Sequence, residues 1–232
     1  MVGGQIAHFD CVIANPPFSL NNWGADLFES DIYGRNLWGT PPATNGDFAW
    51  IQHMIKSMAR KTGRLGVVLP QGVLFRGNKE YELRKQLIES DKLEAVITLV
   101  NNLFYGATIP ACLLIIRNDK PETHKGKVAL IDASTTYTPK RAQNILEDKD
   151  INAIFDLYTN FEDVEEKVKI ATLQEIKDKG YTLSVNRYVE KKQAETISLH
   201  EAKKNFFAAM DEVFKAEENL KQLLKEGGYI NE

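Results

Sequence analysis

The amino-acid sequence predicts an α/β fold: a sheet of mainly parallel strands with one reversed strand, followed by a helical tail. Three observations carry that prediction. Short apolar runs at 9–14, 65–69, 93–100 and 111–116 alternate with segments of helical period, the pattern of a sheet covered by helices. The last two runs are joined by about ten residues, too few for a helical crossover, which favours antiparallel pairing. Beyond Arg117 the chain turns charged and helical in period.

Each element has its own signal. Phe9-Asp10-Cys11-Val12-Ile13-Ala14 reads as a buried parallel strand that stops where prolines remove backbone donors. Residues 19–46, rich in Asn, Gly, Trp and Pro, hold no period of 2 or 3.6 and read as a long loop of the functional or mobile kind. Asn45 and Asp47 offer caps for a helix carrying Phe48, Ile51, Met54, Ile55 and Met58, running to about Arg60 and stopped near Gly63. A buried strand at 65–69 is closed by Pro70, a helix follows at 78–90, then strands at 93–100 and 111–116. Residues 118–127 read as a polar linker, 128–131 as an edge strand, and 162–179 as a solvated helix face. The last segment, about 198–226, places Leu199, Phe206, Met210, Val213, Leu220 and Leu224 at spacings of three, four and seven, with Glu217 in the seam. It is a helix packing on its own domain or a coiled-coil-like face for another subunit.

Composition narrows the function. The chain has 232 residues, 43% hydrophobic and 26% charged, with 29 Lys and Arg against 32 Asp and Glu, a net charge of −3. That balance excludes a protein that holds DNA by its own basic surface, so any nucleic-acid role is local or shared. No stretch reaches the ~18 uncharged apolar residues of a membrane span, and no signal-peptide layout opens the chain, so a soluble, cytoplasmic protein is expected. Cys11 and Cys112 lie in aliphatic runs and are expected to be reduced and buried. His8, His53, His124 and His200 show no paired ligand spacing, and no metal site is expected.

One motif carries chemistry. Asn15-Pro16-Pro17-Phe18 follows the first strand directly, at the carboxyl end where open α/β sheets place their ligands. An exocyclic amine on a purine offers two hydrogens and a ring face. The Asn15 amide oxygen and the Pro16 carbonyl can accept the hydrogens and Phe18 can stack on the ring, while the prolines keep the acceptors aimed. Accepting both hydrogens leaves the nitrogen lone pair free for an electrophilic methyl group, which is amine methylation chemistry. The base must first leave its duplex, at a cost of a few kcal/mol that stacking and hydrogen bonds repay.

With these residues the chain resembles the N6-adenine DNA methyltransferases, and more narrowly the modification (M) subunit of type I restriction-modification systems. Further segments carry the likeness: Gly46-Asp47-Phe48-Ala49-Trp50-Ile51-Gln52-His53-Met54, the stretch 63–77, Ile97-Thr98-Leu99-Val100-Asn101-Asn102-Leu103-Phe104-Tyr105, Ala142-Gln143-Asn144, and the stretch 181–189. The resemblance implies a partial Rossmann-like methyltransferase sheet, its carboxyl-terminal half with one antiparallel strand, over residues 1–135, and a helical tail for subunit docking over 136–232. It implies the strand order 9–14, 65–69, 111–116, with 93–100 at the edge. By the same likeness Asn15, Pro16, Pro17 and Phe18 form the catalytic motif, and Asn15 is also part of the cofactor site.

The family's glycine-rich loop, which cradles S-adenosylmethionine, has no match here; Gly3-Gly4 is too little for it and no Gly-x-Gly follows a later strand. The resemblance therefore implies a fragment with most of the S-adenosylmethionine site missing, inactive alone, and with the strand at 9–14 as an exposed apolar edge able to self-associate. Implied partners are DNA through the complex, a specificity (S) subunit and a restriction (R) subunit, with no membrane. Two other readings stand beside this one: a non-catalytic subunit-interaction module, and a methyltransferase acting on RNA or on protein glutamine. Trp23, Trp38, Trp50 and Tyr33 can be base contacts or the loop's own packing. Arg35, Lys61, Arg64 and Arg76 can meet phosphates but are better read as solvated, and Asp10 receives no catalytic role.

Overall fold

The structure, a computed structural model, describes residues 5–104, 109–191 and 198–230. Gly3-Gly4 and Tyr105 lie outside the described residues. The chain divides into two units, Met1–Lys191 and Lys192–Glu232.

The first unit is built on β1 (Cys11–Ala14), α1 (Ala25–Glu29), α2 (Asp47–Lys56), β2 (Arg64–Pro70), α3 (Lys79–Glu89), β3 (Leu93–Thr98) and β4 (Ala111–Arg117). It continues with β5 (Lys127–Asp132), the two-residue strands β6 (Thr138–Pro139) and β7 (Asn144–Ile145), α4 (Asp148–Asn160), β8 (Val168–Thr172) and α5 (Leu173–Asp178). The main sheet runs β1-β2-β4-β3-β5-β8. β1 and β2 are parallel, β4 is antiparallel to both β2 and β3, β3 and β5 are parallel, and β8 closes the far side antiparallel to β5. The short link between β3 and β4 thus produces the expected reversed strand.

Period-2 alternation sends the strands' side chains to two cores. On one face Leu65, Val67, Leu69, Val96, Leu114, Ile116, Val128 and Leu130 pack under Phe48, Ile51 and Ile55 of α2, Leu83 and Leu87 of α3, and the stretch 181–189. On the other, Ala95, Ile97, Ala129 and Ile131 pack under Ile154 of α4. Fully burying one such aliphatic side chain contributes roughly 1.5–3 kcal/mol. The buried carboxylate of Glu94 in β3 takes hydrogen bonds from Arg117 Nη1 at 3.3 Å and the Tyr158 hydroxyl at 2.6 Å, with His124 Nδ1 at 2.8 Å. Burial, then that hydrogen bond, pushes the Tyr158 phenol far up.

Several expectations give way. The segment 93–100 does not lie at the edge: β3 has a neighbour on each side and all six of its residues are buried. Residues 128–131 are not an edge strand either, because β8 pairs along β5. β8 and α5 replace the solvated helix expected over 162–179; Val168 and Ala171 face the interior while Lys169 reaches out to Asp163. The sheet unit consequently extends to Lys191 rather than ending at 135, since Ile176, Tyr181, Leu183, Val185 and Tyr188 belong to its core.

β1 is the outer strand at the other side and pairs only with β2 among the described residues. Val12 and Ala14 turn toward the core, whereas Ile13 is 82% exposed. The expectation of a buried Cys11 fails for the same reason: it shares the open face with Ile13, while Cys112 in β4 is buried. The apolar edge anticipated at 9–14 is present, and the strand is not buried.

Among its described residues the second unit holds one helix, α6 (Leu199–Glu226), capped by the Ser198 side chain, which accepts the Glu201 backbone N–H. No residue of α6 is buried; Leu199, Phe206, Phe207, Val213, Phe214, Leu220 and Leu223 are all exposed. Glu217 pairs with Lys221 one turn on, at 2.7 Å. No helix among the described residues is long and apolar enough to cross a membrane.

Candidate active site

The carboxyl ends of β1, β2, β3 and β5 lie along one margin of the sheet, because these four strands run the same way. Asn15, Pro16, Pro17 and Phe18 leave β1 at that margin. Asn15 is exposed, and its amide makes no hydrogen bond among the described residues. Pro16 and Phe18 are half-buried, and the Phe18 ring meets Phe104 edge-on, centroids 6.3 Å apart at 79°. A free amide, a carbonyl held by proline-restricted backbone and an aromatic pair stand together, as hydrogen-bond recognition and stacking of a flat base require.

The backbone turns sharply after Phe18. Ser19 takes the left-handed region at φ 48°, and its N–H donates to Asp47 Oδ1 at 2.8 Å. Asp47 does not act as the cap the sequence suggested. Gly46 is the N-cap, Asn45 Oδ1 accepts the Asp47 N–H at 3.0 Å, and the fully buried Asp47 carboxylate faces Ser19 and Arg76. Arg76, expected to be solvated, donates through Nη1 to Asp47 Oδ2 at 3.0 Å and through Nη2 to Ser19 Oγ at 3.1 Å. Sequence reasoning missed both residues; their signal was a buried-helix aspartate and an arginine in a glycine-flanked turn, 29 positions apart.

The long loop mostly packs its own aromatics. Trp23 donates to the Pro42 carbonyl at 2.9 Å and meets Phe28 edge-on, while Arg35 pairs with Asp31 and lies over the Tyr33 ring. Helix α1 interrupts the expected featureless stretch. Between this loop and α2 lies a cavity of about 300 Å³ lined by Trp23, Phe28, Arg35, Trp50 and His53. Trp50 Nε1 and His53 Nδ1 are buried without a partner. Burial, and next Arg35, hold the His53 imidazole below its usual pKa.

Farther along the margin, Gln71, Thr98, Asp132, Ser184 and Lys191 line a cleft of about 220 Å³. Lys191 pairs with Asp132 at 3.0 Å and the Ser134 N–H donates to it at 2.9 Å. Burial raises the Asp132 carboxyl, but these contacts outweigh it and hold the group below its ordinary range. Among the described residues no three His, Cys, Asp or Glu side chains gather to hold a metal.

Comparison with known proteins gives a consistent picture. Residues 4–196 match the family model described as N-6 DNA Methylase. The chain is 38% identical over 189 residues to the type I restriction enzyme MjaVII methylase subunit of Methanocaldococcus jannaschii, covering 78% of this chain and 32% of that protein. It is 34% identical to the MjaIX methylase subunit of the same organism, over 94% of this chain and 41% of the other. A solved type I restriction-modification methyltransferase subunit from Streptococcus thermophilus superposes with a TM-score of 0.75 at 32% identity, covering 82% of this chain and 40% of that one. The chain thus spans about a third to two fifths of the length of these relatives.

Proposed function

This chain belongs to the N-6 DNA methylase family, and from that premise we propose that it is the base-handling part of a type I restriction-modification methylase that methylates adenine N6 in DNA. The observation that carries the reading is the exposed Asn15 amide at the carboxyl end of β1, beside the half-buried Phe18 and its partner Phe104.

In this mechanism the flipped adenine stacks on Phe18, a contact of the kind worth about 1–3 kcal/mol per base. The Asn15 carboxamide oxygen and the Pro16 carbonyl each accept one N–H of the N6 amine. The lone pair then points away from the protein, toward the methyl donor. When the bound donor gave up its methyl–sulfur bond, leaving a neutral thioether, positive charge would grow on the nitrogen that gains the methyl group, and the Asn15 and Pro16 acceptors would stabilise it until one proton left to water. The prolines restrict the backbone, so little reorganisation is needed at that moment.

S-adenosylmethionine is the cofactor the family implies; bound, it supplies a methyl group on a positively charged sulfur. The residues here fit it in part. The cavity with Trp23, Trp50 Nε1 and His53 Nδ1 has the flat walls and unpaired polar atoms that suit a heterocycle, while Asn15, at the strand end, does not line it. The sequence holds no glycine-rich strand-end turn to cradle the remainder. Transfer on this reading therefore needs residues beyond these 232, and the chain alone is inactive.

The relatives are named as subunits of type I restriction enzymes, and the exposed apolar side of α6 is suited to docking a specificity subunit, which would read the DNA sequence. The restriction subunit and DNA are then met through the complex, in the cytoplasm, and the β1 edge is where a further chain or a second copy would pair. The fully exposed helix also favours one second reading, a purely non-catalytic docking module.

Labelled S-adenosylmethionine supplied to the complete methylase tests the proposal, with adenine-containing DNA, RNA and a glutamine peptide offered as acceptors. N6-methyladenine in DNA is expected, with no transfer by the isolated chain. Label in RNA or glutamine, transfer by the isolated chain, or docking without transfer refutes it.

A further inference from the structure

Two segments far apart in the chain, the start of α2 and the turn after β2, converge on the backbone just after Phe18. The Ser19 N–H is bound by Asp47 and its hydroxyl by Arg76, while the Leu20 carbonyl accepts the Gly46 N–H at 3.1 Å. Arg76 is anchored in turn: Nη1 also reaches Glu80 Oε1 at 3.3 Å, and its backbone carbonyl accepts from the buried Arg84 Nη1 at 2.8 Å. Arg84 holds the Val73 carbonyl at 3.2 Å and the Tyr181 carbonyl at 2.8 Å as well, tying the turn after β2 into the core.

Gly72 makes the approach of Arg76 possible, and Gly46 makes room for Trp23. A Cβ on Gly72 would lie 2.4 Å from Cζ, Nε and Nη2 of Arg76, so the guanidinium occupies the space a side chain would need. A Cβ on Gly46 would lie 2.8 Å from the Trp23 ring, which packs against the start of α2. The Asp47 carboxylate thus holds the Ser19 N–H, the fork-shaped Arg76 guanidinium holds the Ser19 hydroxyl, and the two groups pair with each other.

We propose that Asp47 and Arg76 are positioning residues for methyl transfer: together they fix the exit of the Asn15-Pro16-Pro17-Phe18 loop and so set the direction in which the Asn15 amide faces the target base. This rests on the reading of that loop as the base-handling motif. Neither side chain touches the base. They act through Ser19, whose left-handed backbone an unassisted serine rarely adopts. Only a planar fork can serve Ser19 Oγ and Asp47 Oδ2 at once, so lysine at 76 keeps the charge and loses the geometry.

The test compares Arg76→Lys, Asp47→Asn and Asn15→Ala in the complete methylase, measuring single-turnover methylation, DNA dissociation constant and melting temperature. Misplacement of a reacting group by about 1 Å costs on the order of 100-fold. Arg76→Lys is expected to slow the single turnover by about 10–100-fold with DNA affinity unchanged and the melting temperature lowered by only a few degrees, so that the chain stays folded at the assay temperature. An unchanged rate, or a rate that falls only in step with DNA affinity, overturns the proposal. If Asn15→Ala transfers methyl normally, the base-handling reading itself falls; if Asn15→Ala is dead and Arg76→Lys is normal, only the positioning role falls. A readout independent of transfer is amide hydrogen exchange in the 232-residue chain. Arg76→Lys is expected to speed exchange in the 15–22 segment while leaving β3 protected, and unchanged exchange there also overturns it. Arg76→Lys keeps the test decisive should Asp47→Asn fail to fold.

Discussion

Replacing Gly72 with alanine adds one methyl group and tests the seating of Arg76 directly. Gly72 lies in the turn at Gln71–Leu74 and does not have a positive φ, so alanine is acceptable to the backbone and would by itself add about 0.4–1 kcal/mol of stability. The new Cβ would stand 2.4 Å from three guanidinium atoms, and the side chain must leave. That breaks the contacts to Asp47 Oδ2 at 3.0 Å and Ser19 Oγ at 3.1 Å and leaves a fully buried carboxylate with the Ser19 N–H alone. Hydrogen bonds to charged groups contribute about 1.5–3 kcal/mol each. The Arg76 side chain is 30% exposed and recovers water on leaving, which offsets part of the loss. The net destabilisation is about 1–2.5 kcal/mol, or a melting temperature lower by roughly 2–10 °C for a chain of this size. Thermal unfolding followed by circular dichroism reads it. A melting temperature unchanged or raised in Gly72→Ala would show that the guanidinium does not sit over Gly72.

Other consequences follow from the same geometry. Phe18→Ala removes the stacking face, and binding of duplex DNA carrying an extrahelical adenine by the complete methylase should weaken by about 10–100-fold; equal affinity contradicts the stacking role. His53, held below its usual pKa by burial, resists protonation when folded, whereas the unfolded chain takes up a proton near pH 6.5. Stability from this group is therefore present above that pH and lost as the pH falls below it, and His53→Gln should narrow the difference in melting temperature between pH 7.5 and 5.5. Ile13→Lys on the open face of β1 should change stability by less than about 0.5 kcal/mol and reduce self-association in sedimentation velocity. Persistence of the same oligomer would exclude the β1 edge as its interface.

Much of this architecture is legible in the sequence because burial writes apolar runs. β2, β3 and β4 appear where Leu65, Val67, Val96, Ile97, Leu114 and Ile116 cluster, and α6 where its apolar residues recur at helical spacing. β8 was hidden because Lys167 and Lys169 flank Val168 in a strand of five residues, too short for alternation to stand out from charged helix. β3 was misplaced at the edge because the expected order stopped before β5 and β8; its six buried residues are those of a central strand. The segment at 15–18 stands out in the sequence because prolines, an amide and an aromatic follow a strand directly, and the structure places it at the carboxyl end of β1. Asp47 and Arg76 do not, since a contact across 29 positions leaves no period in the sequence, and Gly72, which admits the guanidinium, looks like an ordinary turn residue.

The central claim is that Asn15 holds the target amine during transfer. Its most direct test is the yield of N6-methyladenine in DNA from the complete methylase, wild type against Asn15→Ala, with melting temperature and DNA affinity measured on the same preparations. Asn15 is exposed and outside the core, so the variant should fold as the wild type does and lose at most about tenfold in DNA affinity, while transfer falls by at least about 100-fold. Transfer by Asn15→Ala at the wild-type rate would contradict the account.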